Sequence, residues 1–192
     1  MLSVSDWWAG LAHSEGAWLI IGKGPSLEQQ PLPHPDAFHR LALNHAVTRQ
    51  PVLAASVVDL AVIADCGPAI RDNARYLVMP RHPHRDFKPT PEPLEHYFGD
   101  YPLLAELAGA GRLVWYNFFN APVHPGAPVV PRGRFSAEVM VNLLALLGVR
   151  RIRTLGVDGG TGYASGFDPA DHLANRHRSF DVQWAGIARK VR

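Results

Sequence analysis

The chain has 192 residues, 47 % of them hydrophobic, and a formal net charge of only +2 from 19 basic and 17 acidic side chains. That size and apolar content allow one domain, 1–192, with a sizeable core and exclude a disordered chain. The near-balanced charge gives no argument for a nucleic-acid partner despite a pI of about 8.9.

Cys66 is the single cysteine, so an intramolecular disulfide and a cysteine-based zinc site are excluded. The opening Met-Leu-Ser-Val-Ser-Asp-Trp-Trp has no basic region before an apolar core, and no apolar run reaches the roughly 20 residues that span a bilayer. A cytoplasmic protein without a transmembrane segment is expected. Peripheral membrane contact and self-association stay open, and Trp7 and Trp8 read as packing a short helix onto the body of the domain.

In chain order, Trp18 to Gly22 reads as a strand buried on both faces, ending in the turn Gly22-Lys23-Gly24-Pro25-Ser26. Residues 30–36 carry three prolines and read as a loop. Phe38 to Leu43 reads as a second strand, ending at Asn44-His45. Val52 to Ala64 reads as a strand, a turn near Asp59 and a short helix. Cys66-Gly67-Pro68 then makes a turn before a helical stretch to Asn73. Arg75 to Met79 and Arg112 to Tyr116 read as strands, with a short helix at Leu103 to Ala108 between them. Residues 82–102 and 117–133 are rich in proline and poor in periodicity, and read as irregular cover over the sheet edge.

Regularity returns where Val139, Leu143, Leu146 and Leu147 recur at helical spacing. Ser136 reads as the cap of that helix and Gly148 as its stop. Ile152 to Val157 reads as the next strand, ending at Asp158-Gly159-Gly160. A last helix is expected over Asp181 to Lys190, with Phe180, Trp184 and Ile187 on one face. The class is α/β: one Rossmann-like domain with a mainly parallel sheet and helices on both faces.

Parallel sheets place ligands beyond the carboxyl ends of their strands. The Gly22–Ser26 turn, Asn44, Ser136 and Asp158 all fall at such positions. The turn lacks the second half of a dinucleotide fingerprint and the Gly-Lys-Ser/Thr ending of a P-loop. It reads either as a phosphate-sized ligand cradle or as a plain strand-to-helix turn. Asn44 can satisfy a base or ribose, the start of the helix at Phe135 can meet a phosphate, and Asp158 can hold ribose hydroxyls or order the loop after it. His82-Pro-His84 lacks the spacing of a metal site, and no serine sits in a nucleophile-elbow frame. Arg81 to Arg85 reads as a solvated loop or an anionic-pocket lining. His177, flanked by arginines, is a candidate base.

The order Gly-x-Gly-Pro-Ser-Leu, then Leu-Asn-His, then the helix from Ser136 into Leu-Gly-Val-Asp, then Tyr-Ala-Ser-Gly-Phe-Asp, resembles the small bacterial sialyltransferases of lipooligosaccharide biosynthesis. It is also similar to uncharacterised sialyltransferase-like proteins and to archaeal pterin pyrophosphokinases. The resemblance implies a metal-free glycosyltransferase that moves a sialic-acid-like sugar from a CMP-activated donor, its substrate rather than a cofactor, to a glycan or small-molecule acceptor. It implies nucleotide-binding roles for Gly22, Lys23, Gly24, Pro25, Ser26, Asn44, Phe135, Ser136, Ala137 and Asp158. It assigns leaving-phosphate stabilisation to Tyr163 and the general base to His177. Lys23 stands where that family has a donor-contacting asparagine, Ala137 where it has glycine, and Gly160 where it has a second phosphate-facing tyrosine. A magnesium-dependent pyrophosphokinase-like transferase and a non-catalytic nucleotide-binding or assembly domain are the alternatives.

Overall fold

The strongest apolar runs of the sequence become neighbouring strands of one sheet. In chain order the elements are β1 (Leu2–Ser3), α1 (Val4–Gly10), β2 (Trp18–Ile21), α2 (Ser26–Gln29), β3 (His39–Leu43), β4 (Val52–Ser56), α3 (Leu60–Asn73), β5 (Ala74–Pro80), β6 (His84–Arg85), β7 (Lys88–Pro89), α4 (Pro102–Gly109), β8 (Leu113–Phe118), β9 (Val129–Val130), α5 (Ser136–Leu146), β10 (Ile152–Leu155) and α6 (Asp181–Ala188). Short 3-10 turns cover Pro35–Ala37, Asn44–Arg49 and Leu94–Tyr97. The computed structural model describes residues 1–12, 14, 16–131, 133–167 and 179–188.

Among the described residues the main sheet has eight strands in the order β1-β8-β5-β4-β3-β2-β10, with β9 also beside β8. Every pair in it is parallel. All residues of β2 and β8 are buried, as expected of strands covered on both faces. On one face Leu19, Ile21, Ala55, Leu77 and Met79 pack with Ile63 and Ile70 of α3 and Leu104 and Leu107 of α4. On the other, Ile20, Leu41, Ala54, Val78 and Val114 pack with Val4 and Trp7 of α1 and Met140 and Leu143 of α5. The expected α/β class, with a parallel Rossmann-like sheet between helical layers, is what the chain adopts.

This topology decides where a ligand site can lie. From β2 the chain steps outward through β3, β4 and β5 to β8, with α3 and α4 on one face. It then returns through α5 on the other face to place β10 on the far side of β2. Right-handed crossovers travelling in opposite directions must use opposite faces. The strand order therefore reverses between β2 and β10, and the switch point lies at their carboxyl ends.

Local details differ from the sequence reading in a few places. The chain begins with a strand, β1, too short to show a period. The residue at the cap position of α5 is Phe135, which makes no side-chain cap bond, and Ser136 is the first helical residue. On α6 the buried residues are Gln183 and Ile187, whereas Trp184 is exposed; Lys190 lies outside the described residues. Asp59 caps α3 by accepting from Ala61 N at 3.0 Å, and the helix is interrupted at Cys66, where Pro68 cannot continue the hydrogen-bond ladder. Residues 82–102 and 117–133 follow the carboxyl ends of β5 and β8. Within them are the antiparallel β6–β7 ribbon and β9. Among the described residues no helix is long and apolar enough to cross a membrane.

Candidate functional site

At the switch point the chain meets itself. Gly22 N donates to Leu155 O at 2.8 Å, and Gly24 N to Gly156 O at 2.7 Å. Ser26 N donates to the Asp158 carboxylate at 2.8 Å, while Ser26 Oγ accepts from Gly156 N at 2.8 Å. A side chain on Gly24 would place its Cβ 2.4 Å from Asp158 Oδ2, and one on Gly22 would lie 2.2 Å from Gly156 O. The close approach that these glycines permit is therefore made by β10 and the turn after it. Asp158 supplies the negative charge at the start of α2, and Pro25 packs against Gly162 at 3.4 Å from its would-be Cβ.

Asp158 and the two glycines after it also seat α6. Gln183 donates from its side chain to Asp158 O, Gly160 N donates to Asp181 Oδ1 at 2.7 Å, and Phe180 N donates to Gly160 O at 2.8 Å. Phe180 then stands between two other rings, 5.4 Å from Phe135 and 5.7 Å from Tyr163. These ring contacts join the loop after β10 to the start of α5.

Beside this closed seam lies the part of the edge with chemical potential. Lys23 is half-buried, and burial lowers its ammonium to about 8. Its Nζ lies 4.9 Å from the centre of the Tyr163 ring. Burial raises the Tyr163 phenol above its ordinary value, so it stays a hydroxyl donor. Asn44 follows β3 with a left-handed φ of +50°, a conformation asparagine tolerates better than most residues. That turn aims its amide at α5, where Nδ2 donates to Ser136 Oγ at 3.2 Å. Phe135 and Ala137 flank Ser136 and are buried.

Sequence reasoning missed two neighbours. His45 Nε2 lies 3.3 Å from Asp65 Oδ2 on α3. Burial and then the Lys23 charge depress the His45 pKa, against the opposing pull of Asp65, so His45 is neutral at pH 7. Its position next to Asn44 at a strand end was legible; no spacing in the chain links it to Asp65. Cys66, on the same helix, donates from its thiol to Val62 O at 3.0 Å and burial pushes it up to about 12. It is an inert thiol rather than a nucleophile.

Of the residues singled out from sequence, Gly22 to Ser26, Asn44, Phe135 to Ala137, Asp158 and Tyr163 lie along one connected stretch of the carboxyl edge. His177 lies outside the described residues. The Arg81–Arg85 stretch is bound into the fold: Arg81 pairs with Glu95 and stacks on Trp115 at 4.9 Å. His82 Nε2 meets His124 Nε2 at 2.9 Å, with His82 Nδ1 held 3.1 Å from Thr90 O. The two proline-rich segments are thus pinned together. Comparison with protein-family models, with curated proteins and with solved structures yields no match to this chain.

Proposed function

We propose that this chain is a transferase that moves a sugar of the sialic-acid type from a CMP-activated donor to a glycan acceptor. The observation that carries the reading is Lys23. Its ammonium is half-buried at the carboxyl edge, and among the described residues it has a Tyr163 ring beside it but no carboxylate or hydrogen-bond partner. A desolvated, unpaired cation is costly. An anion docking there relieves that cost, and the donor brings two, a phosphate and a carboxylate. Asn44 and Ser136 supply polar partners for the nucleoside, with the start of α5 facing the same edge. CMP rather than another nucleotide rests on the sequence resemblance.

In this reading the acceptor hydroxyl attacks the anomeric carbon. The bond from that carbon to the phosphate oxygen breaks, and CMP departs with the electron pair. The Tyr163 hydroxyl donates to the departing phosphate, and the hydroxyl proton passes to His177. Preorganised donors of this kind account for much of the acceleration in such reactions.

Calorimetric titration with CMP, CDP, UDP, GDP and ATP, repeated with chelator present, tests the proposal. Selective CMP binding that survives chelation is the expected result. ATP or GTP binding only with magnesium points instead to diphosphate transfer, where a metal neutralises the transferred phosphates. No binding to any of them makes the domain a non-catalytic one that retains the fold.

A further inference from the structure

The loop after β10 is tied down by contacts to residues far from it in sequence. Its residues 159–167 cross the Gly22–Ser26 turn, and Ala164 N donates to Lys23 O at 2.7 Å. Arg49, at the end of the turn that follows β3, donates to Ser165 O and lies 4.5 Å over the Phe167 ring. Arg49 also sits 3.9 Å from Glu28 on α2, and Glu28 in turn accepts from Ser165 Oγ. Glycines bracket the segment: Gly160 has φ +75° and Gly166 φ +74°, the left-handed region in which glycine moves at least cost. Between them Tyr163 is laid on Lys23.

We propose that residues 159–167 form a strap that Arg49 latches shut over the Lys23 ammonium, and that a phosphate-bearing ligand reaches Lys23 only when the strap lifts. The second half rests on the anion-binding role of Lys23 proposed above; the first does not. The physical logic is a contest for one cation. A tyrosine ring face is a weak partner for an ammonium, and a phosphate oxygen is a stronger, charge-assisted one. An arriving anion therefore displaces the ring once the latch yields. The latch is two-sided, because the Arg49 guanidinium and the Glu28 carboxylate hold Ser165 from opposite polarities. Loops that close over a ligand through a few hinge residues commonly time ligand entry, and Gly160 and Gly166 are the candidate hinges here.

Amine labelling reads the latch without any ligand. The chain has three lysines, Lys23, Lys88 and Lys190, and Lys88 is exposed, so it serves as the internal reference. Acetic anhydride labelling is followed site by site by mass spectrometry in the wild type, Arg49→Ala and Glu28→Gln. The expected result is that Lys23 speeds up roughly tenfold in Arg49→Ala over the wild type while Lys88 keeps its rate, the scale of a local opening rather than global unfolding. Glu28→Gln moves in the same direction, and amide exchange at Ala164 rises with it while exchange in β2 stays slow. An unchanged Lys23 rate in both variants overturns the latch, whatever the protein binds. CMP is then added to Arg49→Ala. Slower Lys23 labelling is expected. An accelerated rate that CMP leaves untouched overturns the ligand half and the anion role of Lys23, while the latch stands.

Discussion

The Lys23 side chain sets the pH behaviour of the site. Its folded pKa is lowered to about 8 by burial, so the free amine dominates above that pH. An anion binds the protonated form better, and CMP affinity should fall as pH rises through about 8. Lys23→Met should weaken CMP binding by about 10- to 100-fold, the worth of one hydrogen bond to a charged group, and should flatten that pH dependence. A variant that binds as well as wild type, or that keeps the pH slope, removes Lys23 from the site. Gly24 makes a different claim. With a Cβ 2.4 Å from Asp158 Oδ2 and 2.9 Å from Gly156 O, Gly24→Ala should cost about 1–3 kcal/mol of stability by overpacking, measured as a lower urea midpoint. A normal midpoint with lost nucleotide binding would mean that the glycine serves a ligand and not the seam.

Among the elements, α6 depends on one close pass. A Cβ on Gly186 would lie 2.1 Å from Glu138 Oε1. The Glu138 carboxylate is buried against α6 while its other oxygen accepts from Arg134 N at 2.7 Å. Gly186→Ala should therefore lift α6 from α5 and loosen the Asp158 to Gly160 turn that α6 holds. Amide exchange should accelerate in α6 and at Gly160 while α3 stays protected; uniform protection would show that the contact yields without consequence. The cap of α3 is the simpler case. Asp59→Ala removes the acceptor for Ala61 N and should cost about 1 kcal/mol in the same denaturation assay, a cost that Asp59→Asn should largely spare.

Across the whole molecule, one sheet with helices on each face makes two hydrophobic layers that share every strand. Loss of either layer exposes the other, so unfolding in urea should be a single transition. Tryptophan fluorescence, reporting mainly the Trp7, Trp8 and Trp18 cluster, should trace the same curve as far-ultraviolet dichroism; two separated curves would reveal independent units. Leu104, fully buried between α4 and the sheet, tests the coupling. Leu104→Ala should cost about 2–5 kcal/mol and shift both curves together.

From the chain alone it was legible that Trp18 to Gly22, Phe38 to Leu43 and Arg112 to Tyr116 are strands, the first of them buried on both faces, that a helix opens at Ser136, and that Gly22, Asn44 and Asp158 mark strand ends. These are local properties, written in unbroken apolar runs and in the glycine, asparagine and aspartate that stop them. Only the tertiary structure decided what those ends meet. Ser26 and Asp158 are 132 residues apart in sequence, and nothing near either says that the carboxylate will cap the turn, so that glycines suited to a phosphate instead admit the neighbouring strand. The same holds for His45 with Asp65 and for Arg49 with Ser165. Burial of a run depends on its own composition, whereas pairing depends on which strand lies beside which, and that is set by crossovers made elsewhere in the chain.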